Sequence, residues 1–289
     1  MVNDAQVDVM ESQMSMTPVL RSFRRRWTAE SSPWALRTKQ FVASVLPDRV
    51  LVGLKKRYYL SLLRADADEL METDARALPR LLKAGDFVID VGAFVGFYSQ
   101  RLSRLVGPAG LVWSFEPMPP TFEILSASLQ RLALTNVFAF PYAVSDRDGA
   151  ATMEIPRFTG GGESWWDARI VEQGAREPLR RFDIVTKTLD ALLADSDRPV
   201  TFMKIDAEYH ELHCVRGAVD TLRRWRPAIQ VETLGDLDEP GSDLSMIATE
   251  LSGFGYSPYC FDGERFHRRR HGERQQNVFF LCGHHASVL

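Results

Sequence analysis

The sequence predicts an α/β fold: a mostly parallel, seven-stranded sheet with an antiparallel last strand, flanked by helices. Three observations carry this. From about residue 70, short apolar runs rich in β-branched residues alternate with longer helical stretches, the pattern of strand–helix repeats. The runs are apolar throughout, as strands covered on both faces are. The connection between the last two runs is too short for a crossover helix, so those two strands pair antiparallel.

The elements follow in order. A helix over about 71–84 ends at Gly85, a plausible capping glycine. Phe87-Val88-Ile89-Asp90-Val91 is the first strand, and a helix over 95–106 closes at Gly107-Pro108. Leu111–Phe115 is the second strand, 119–133 a helix, and Asn136–Tyr142 the third strand. Residues 145–187 break the alternation, with strand candidates at Ala151–Ile155 and Phe182–Thr186. A strand at Phe202–Asp206, a helix at 209–224, a strand at Ala228–Glu232 and a helix at 242–252 resume it. Strands at about 255–261 and 276–282 finish the chain.

Three segments emerge: a mobile basic leader over 1–32, a helical N-terminal extension over 33–70 interrupted near Pro47, and the α/β domain over 71–289. Net charge is −3, which gives no bulk attraction to nucleic acid. Residues 1–60 nonetheless carry ten Lys or Arg against five Asp or Glu. A solvated face or contact with an anionic partner or membrane surface are the open readings. Three widely spaced cysteines, Cys214, Cys260 and Cys282, point to a reducing compartment. With no apolar run of spanning length, the expectation is a cytoplasmic protein without stable membrane insertion.

The chemical signal starts at Asp90-Val91-Gly92-Ala93-Phe94-Val95-Gly96, between a strand and a helix. Gly92 permits a sharp turn and close ligand approach, and Gly96 lets helix pack on strand. The spacing is not that of dinucleotide binders, and Asp90 would repel a pyrophosphate. A nucleoside without phosphate but with an ammonium and a sulfonium, S-adenosylmethionine, suits an acidic turn. Glu116, at the end of the next strand, stands where a Rossmann-like unit directs a carboxylate at the ribose hydroxyls. Pro117 follows it. Ala143 and Val144 then fall beside the adenine.

These residues resemble the FkbM family of S-adenosylmethionine-dependent methyltransferases. The matching segments are Asp90–Ser99, Phe115-Glu116-Pro117, Ala143–Asp146, Thr188-Leu189-Asp190, Lys204–Glu211, Arg226-Pro227 and Val231-Glu232. The resemblance implies a Rossmann-like class I methyltransferase fold and O-methylation of a small molecule such as a sugar, polyketide or other specialised metabolite. Two positions depart from the pattern. Phe94 stands where the family usually has Asn, and Tyr209 where it usually has Gly.

Ligands in open α/β sheets sit at the carboxyl ends of the strands. Asp206 ends the strand next to the cofactor strand and Glu208, His210 and Glu211 follow at once, so these four are the acid–base candidates, with Asp206 facing the cofactor or the acceptor. His210 has a suitable unperturbed pKa, or is simply a residue at a helix start. Glu208 and Glu211 also suit a helix N-terminus, and Lys204 a buried ion pair. Asp-x-Glu-x-His admits a Mg²⁺ reading, but the expectation is no metal; Cys282-Gly283-His284-His285 lacks a second zinc pair. Ser164, Trp165 and Trp166 either form a lid over the acceptor or pack into the core, with Tyr209 and Glu232 facing the same pocket. Arg268-Arg269-Arg270 reads as a solvated turn. The partners expected are a small-molecule acceptor and a possible second copy of the chain. A non-catalytic cofactor-binding module and a nicotinamide oxidoreductase are the competing readings.

Overall fold

The computed structural model describes residues 48–65, 73–155, 165, 168–171, 180–232 and 235–288. The leader, the first part of the extension, Ser164 and Trp166 lie outside them.

The central sheet has eight strands rather than seven. They are β1 (Phe87–Val91), β2 (Leu111–Phe115), β3 (Val137–Phe140), β8 (Val200–Ile205), β9 (Ala228–Glu232), β10 (Ser257–Phe261), β11 (Phe266–Arg268) and β12 (Asn277–Leu281). The spatial order is β3-β2-β1-β8-β9-β12-β10-β11. Pairings from β3 through β9 are parallel, while β12 runs antiparallel to both β9 and β10. This is a Rossmann-like sheet with its last strand inserted antiparallel. The extra strand β11 folds back on β10 through an Asp262–Arg265 turn. At three residues it is too short to announce itself by composition.

The irregular stretch 142–187 builds a second sheet, in the order β4 (Tyr142–Val144), β7 (Arg180–Lys187), β5 (Gly149–Ile155), β6 (Arg169–Val171). The expected third strand, Asn136–Tyr142, therefore splits at Pro141. Proline lacks the N–H that would continue the ladder, and the chain changes sheets there. Both strand candidates in this stretch exist, paired antiparallel as β5 and β7.

Seven helices follow the strands or lead into them among the described residues: α1 (Asp48–Arg64), α2 (Leu78–Leu81), α3 (Phe97–Val106), α4 (Pro119–Arg131), α5 (Leu189–Leu192), then α6 (Glu211–Arg216) with α7 (Val219–Trp225). An eighth, α8 (Asp243–Ser252), is capped by Ser242, whose hydroxyl accepts from Ser245 N. Two helices differ from expectation. The stretch before β1 is a 3₁₀ turn (Thr73–Ala77) followed by the short α2, with Pro79 at its start. The helix expected over 209–224 starts at Glu211 and breaks at Gly217, where a β-carbon would lie 1.9 Å from the Ser145 carbonyl oxygen. The backbone approach requires glycine, and the helix restarts beyond it.

One core fills the sheet face under α6, α7 and α8 and includes Met203, Leu212, Leu222, Ile229 and Ile247. The opposite face packs Val88, Leu102, Leu125 and Phe279. A third cluster joins Val95, Met118, Ala143, Met153, Ile155 and Trp165 to Val52 and Tyr59 of α1. So α1 and the second sheet together roof the carboxyl edge of β1. Gln100 reinforces this by donating to the Leu63 carbonyl, 3.2 Å away, and Lys56 pairs with Glu123 on α4. No helix among the described residues is long and apolar enough to cross a membrane.

Candidate active site

Two turns meet at the carboxyl edge of the sheet. The first leaves β1. Gly92 has φ +77°, and a β-carbon there would fall 1.7 Å from the Asp206 carbonyl oxygen. The glycine is thus demanded both by its backbone angle and by contact with the second turn. Gly92 N and Ala93 N both donate to the Phe115 carbonyl, at 3.0 and 2.9 Å, which ties the turn to β2.

Phe94, at φ +49°, occupies a left-handed conformation that Asn tolerates better than Phe. Its N–H donates to Glu116 Oε2 at 2.9 Å, and its ring lies edge-on to Tyr59 at 5.7 Å. The aromatic side chain thus packs under the α1 roof instead of supplying a polar contact.

Glu116 is buried. Oε1 accepts from Met118 N at 3.0 Å and Thr121 Oγ1 at 2.6 Å, and Oε2, among the described residues, from Phe94 N. A carboxylate has about four acceptor sites, so Oε2 keeps capacity for a further donor. Burial pushes the acid up to about 7, against the pull of these three donors.

Asp90 is fully buried. Its Oδ2 accepts from Ser99 Oγ at 2.7 Å, and Ser99 accepts in turn from Ser114 Oγ at 2.9 Å. Asp90 Oδ1 has no hydrogen-bond partner among the described residues. Burial holds this carboxyl above its ordinary range, with the Lys204 ammonium and the Ser99 bond opposing.

Register explains why Lys204 matters. Ser114, Asp90, Lys204 and Gln230 lie abreast on β2, β1, β8 and β9, forming one polar row across the buried sheet. Lys204, 3% exposed, bonds Asp206 Oδ2 at 2.6 Å and lies 4.5 Å from the centre of the Tyr98 ring. Tyr98 accepts from Gln230 Nε2 at 2.9 Å. The expected buried ion pair of Lys204 is therefore present, with Asp206 as its nearest anion.

The second turn leaves β8. Burial works against ionisation of Asp206, but Lys204 and a hydrogen bond shared with Glu232 hold it below the usual carboxylate range. Asp206, Glu208 and Glu232 bring one carboxylate oxygen each within 4.8 Å of one another. Glu208 (φ +48°) and Tyr209 (φ +70°) are consecutive left-handed non-glycine residues. The turn is pinned by Glu211, whose Oε1 accepts from Ala207 N at 2.8 Å and whose acid is pushed up to about 7 by burial.

His210 sits apart from the acids. Its Nε2 lies 2.9 Å from Ser145 Oγ, and its ring stacks on His213 at 4.3 Å. Burial, then the neighbouring His213, push it down to about 4, so it is neutral at physiological pH. Ala143 and Val144 are buried on β4, beside this Ser145 contact. Pro117 is half-buried between Glu116 and Met118.

Trp165 takes the packed alternative. It is 5% exposed, joins the third cluster, and carries Lys55 Nζ 3.0 Å from its ring centre. The arginine turn is also not simply solvated: the Arg269 side chain is shielded and pairs bidentately with Asp238. Tyr98, Ser99, Ser114, Ser145 and Gln230 were invisible as site residues. Only strand register and helix facing reveal their roles, although Tyr98 and Ser99 lie within the motif Asp90–Ser99 and Ser145 within Ala143–Asp146.

The fold and this edge define a class, the Rossmann-like methyltransferases. Within it, residues 90–258 match the model of the methyltransferase FkbM domain, more than half of the chain. The protein belongs to the FkbM methyltransferase family. No curated protein matches the sequence. Among solved structures, the chain resembles methyltransferase FkbM from Methylobacillus flagellatus KT at 15% identity and a TM-score of 0.45, over 68% of this chain and 43% of that one. It therefore spans less than half the length of that protein. Aeropyrum pernix fibrillarin, solved with S-adenosyl-L-methionine, matches at 13% identity and 0.42, over 70% and 68%. Cofactor-bound Rv0187 from MTB matches at 15% identity and 0.42, over 87% and 98%.

Proposed function

We propose that the protein transfers the methyl group of S-adenosylmethionine to a hydroxyl of a small molecule. One observation carries this reading. The acid-bearing turn of β8 rests directly on Gly92 of the β1 turn, so a cofactor lying over Gly92 has its reactive end beside Asp206, Glu208 and Glu232.

The residues present fit that cofactor. Glu116 Oε2 has room for a ribose hydroxyl, and the orphaned Asp90 Oδ1 suits a turn built to receive a cation. Ala143 and Val144 offer an apolar wall for the adenine; Gly92, Ala93 and Gly96 add little bulk to the turn, and the Phe94 ring packs against Tyr59. When bound, the sulfonium supplies an activated methyl group with a good leaving group. The protein's share is alignment, water exclusion and removal of one proton.

Asp206 and Glu208 are assigned as proton acceptors. Glu232 brings a third carboxylate oxygen within 4.8 Å of both, so the hydroxyl proton has a cluster of anionic acceptors to move to. His210 is assigned to hold Ser145 in place beside the adenine wall. A divalent cation on the three carboxylates is disfavoured because the Lys204 ammonium, 2.6 Å from Asp206, already supplies the counter-charge. Turnover should therefore survive chelators.

Calorimetric titration with S-adenosylmethionine and S-adenosylhomocysteine tests the reading. Binding of both is expected, with loss in Asp90→Ala and Glu116→Ala. No binding of either by the full chain overturns it. Release of S-adenosylhomocysteine with any acceptor separates an enzyme from a module that only binds. The setting we infer is cytoplasmic, and the acceptor a free metabolite rather than nucleic acid.

A further inference from the structure

The turn after β8 is strained for a purpose. Two adjacent non-glycine residues in the left-handed region persist only where surrounding structure holds them there, and such strain clusters at functional sites. The first, Glu208, sends its carboxylate to Asp206 and Glu232. The second, Tyr209, directs its ring outward, where it is 47% exposed. It is one of few large apolar side chains left so open among the described residues.

The ring does not face empty surface. The Arg169 guanidinium of β6 lies 5.9 Å from its centre. Arg169 belongs to the second sheet, and Tyr209 directly follows Glu208 in the turn after β8, so their contact joins the second sheet to the turn that carries the acids. Arg169 is exposed. Arg181, Arg216, Arg223, Arg224, Arg269 and Arg274 each pair with a carboxylate. Among the described residues no carboxylate pairs with Arg169.

A flat aromatic face with a guanidinium 5.9 Å from its centre can receive a planar or flat-faced ring bearing an anion. The ring stacks and the fork-shaped cation binds the anion in bidentate fashion. We propose that Tyr209 and Arg169 select the acceptor: a hydroxylated ring carrying a carboxylate or a phosphate. The reacting hydroxyl lies across the ring from the anion. Three carboxylates at the near end repel an anion placed there, whereas a hydroxyl is drawn to them. This inference rests on the methyl-transfer reading of the same edge.

The test measures binding to the full chain saturated with S-adenosylhomocysteine. The probes are 4-hydroxybenzoate, 2-hydroxybenzoate and uncharged 4-hydroxybenzyl alcohol, with glucose 6-phosphate against glucose as the phosphate arm. At least one anionic probe should bind about tenfold or more tighter than its neutral partner. In the carboxylate arm, the 4-isomer should exceed the 2-isomer. Arg169→Met should erase the preference for the anion while leaving affinity for S-adenosylhomocysteine unchanged. Tyr209→Gly should weaken charged and neutral rings alike. Equal affinity for charged and neutral probes, no binding of any anionic probe, or an unchanged preference in Arg169→Met each overturns the proposal. If S-adenosylhomocysteine still binds in those cases, the methyl-transfer reading stands and only the acceptor class fails.

Discussion

The turns that leave β1 and β8 are neighbours in space and opposites in construction. The β1 turn puts glycine at two of its three left-handed positions, Gly92 and Gly96, and a non-glycine only at Phe94. The β8 turn has two left-handed positions, Glu208 and Tyr209, and glycine at neither. A left-handed residue with a β-carbon costs roughly 1–2 kcal/mol. The first turn is built for low strain and close approach. The second accepts strain in order to carry side chains. That division matches a site in which one turn holds a cofactor common to many enzymes and the other meets a particular acceptor.

The largest effect should come from breaking the low-strain turn. Gly92→Ala places a methyl group 1.7 Å from the Asp206 carbonyl oxygen and penalises φ +77°. The two turns must then separate. A loss of about 4 kcal/mol or more in urea unfolding is expected, together with loss of S-adenosylhomocysteine binding. Wild-type affinity in this variant would mean that the contact between the turns is dispensable.

Next is the support beneath both turns. Lys204→Met leaves Asp206 and Asp90 without their shared counter-charge. Removing one partner of a buried pair typically costs about 3–5 kcal/mol. The pH sign follows from Asp206, whose folded pKa is depressed. Its stabilisation is present above the unfolded value, near 3.9, and is lost as pH falls through the folded one. The deficit of the variant should therefore be greatest near neutral pH and shrink below about pH 4. Denaturation curves at pH 7 and pH 3.5 make the comparison.

Smaller again is the pin of the β8 turn. Glu211 is raised to about 7 by burial, so the folded state binds its proton more tightly than the unfolded state does. Its contribution to stability falls as pH rises through the window from its unfolded value up to about 7. Glu211→Gln keeps an acceptor for Ala207 N and removes the titration. That variant should be about 1–3 kcal/mol more stable than wild type at pH 8 and equal to it at acid pH. Equal stability at both ends would show that Glu211 does not carry this proton.

The two turns also differ in how legible they were. Asp90, Gly92 and Glu116 could be read from one contiguous motif and one strand end, because glycine spacing and strand alternation are local signals. Asp206 was placed by the same logic. The β8 turn was legible as a cluster of acids but not as a geometry. Glu232 is legible as a residue of the same pocket but not as the third carboxylate of the cluster, and nothing local says that His210 turns toward Ser145. The polar row from Ser114 to Gln230 depends on strand register, which composition does not encode. The second sheet was half visible: β5 and β7 stood out as apolar runs. The β3–β4 break at Pro141 and the three-residue strands β6 and β11 did not. Gly217 was passed over because its role is a close approach to Ser145, 72 residues earlier in the chain.

The smallest effect is the one that converts the second turn into the first kind. Tyr209→Gly removes the β-carbon from φ +70° and should relieve the left-handed penalty. Glycine also enlarges the freedom of the unfolded chain, which offsets part of the gain. A net stabilisation of about 0.5–1 kcal/mol is expected, visible as a higher urea midpoint with an unchanged slope. The same change deletes the ring that faces Arg169, so acceptor affinity should fall while stability rises. A fall in stability would mean that the Tyr209 ring earns its place by packing rather than by recognition.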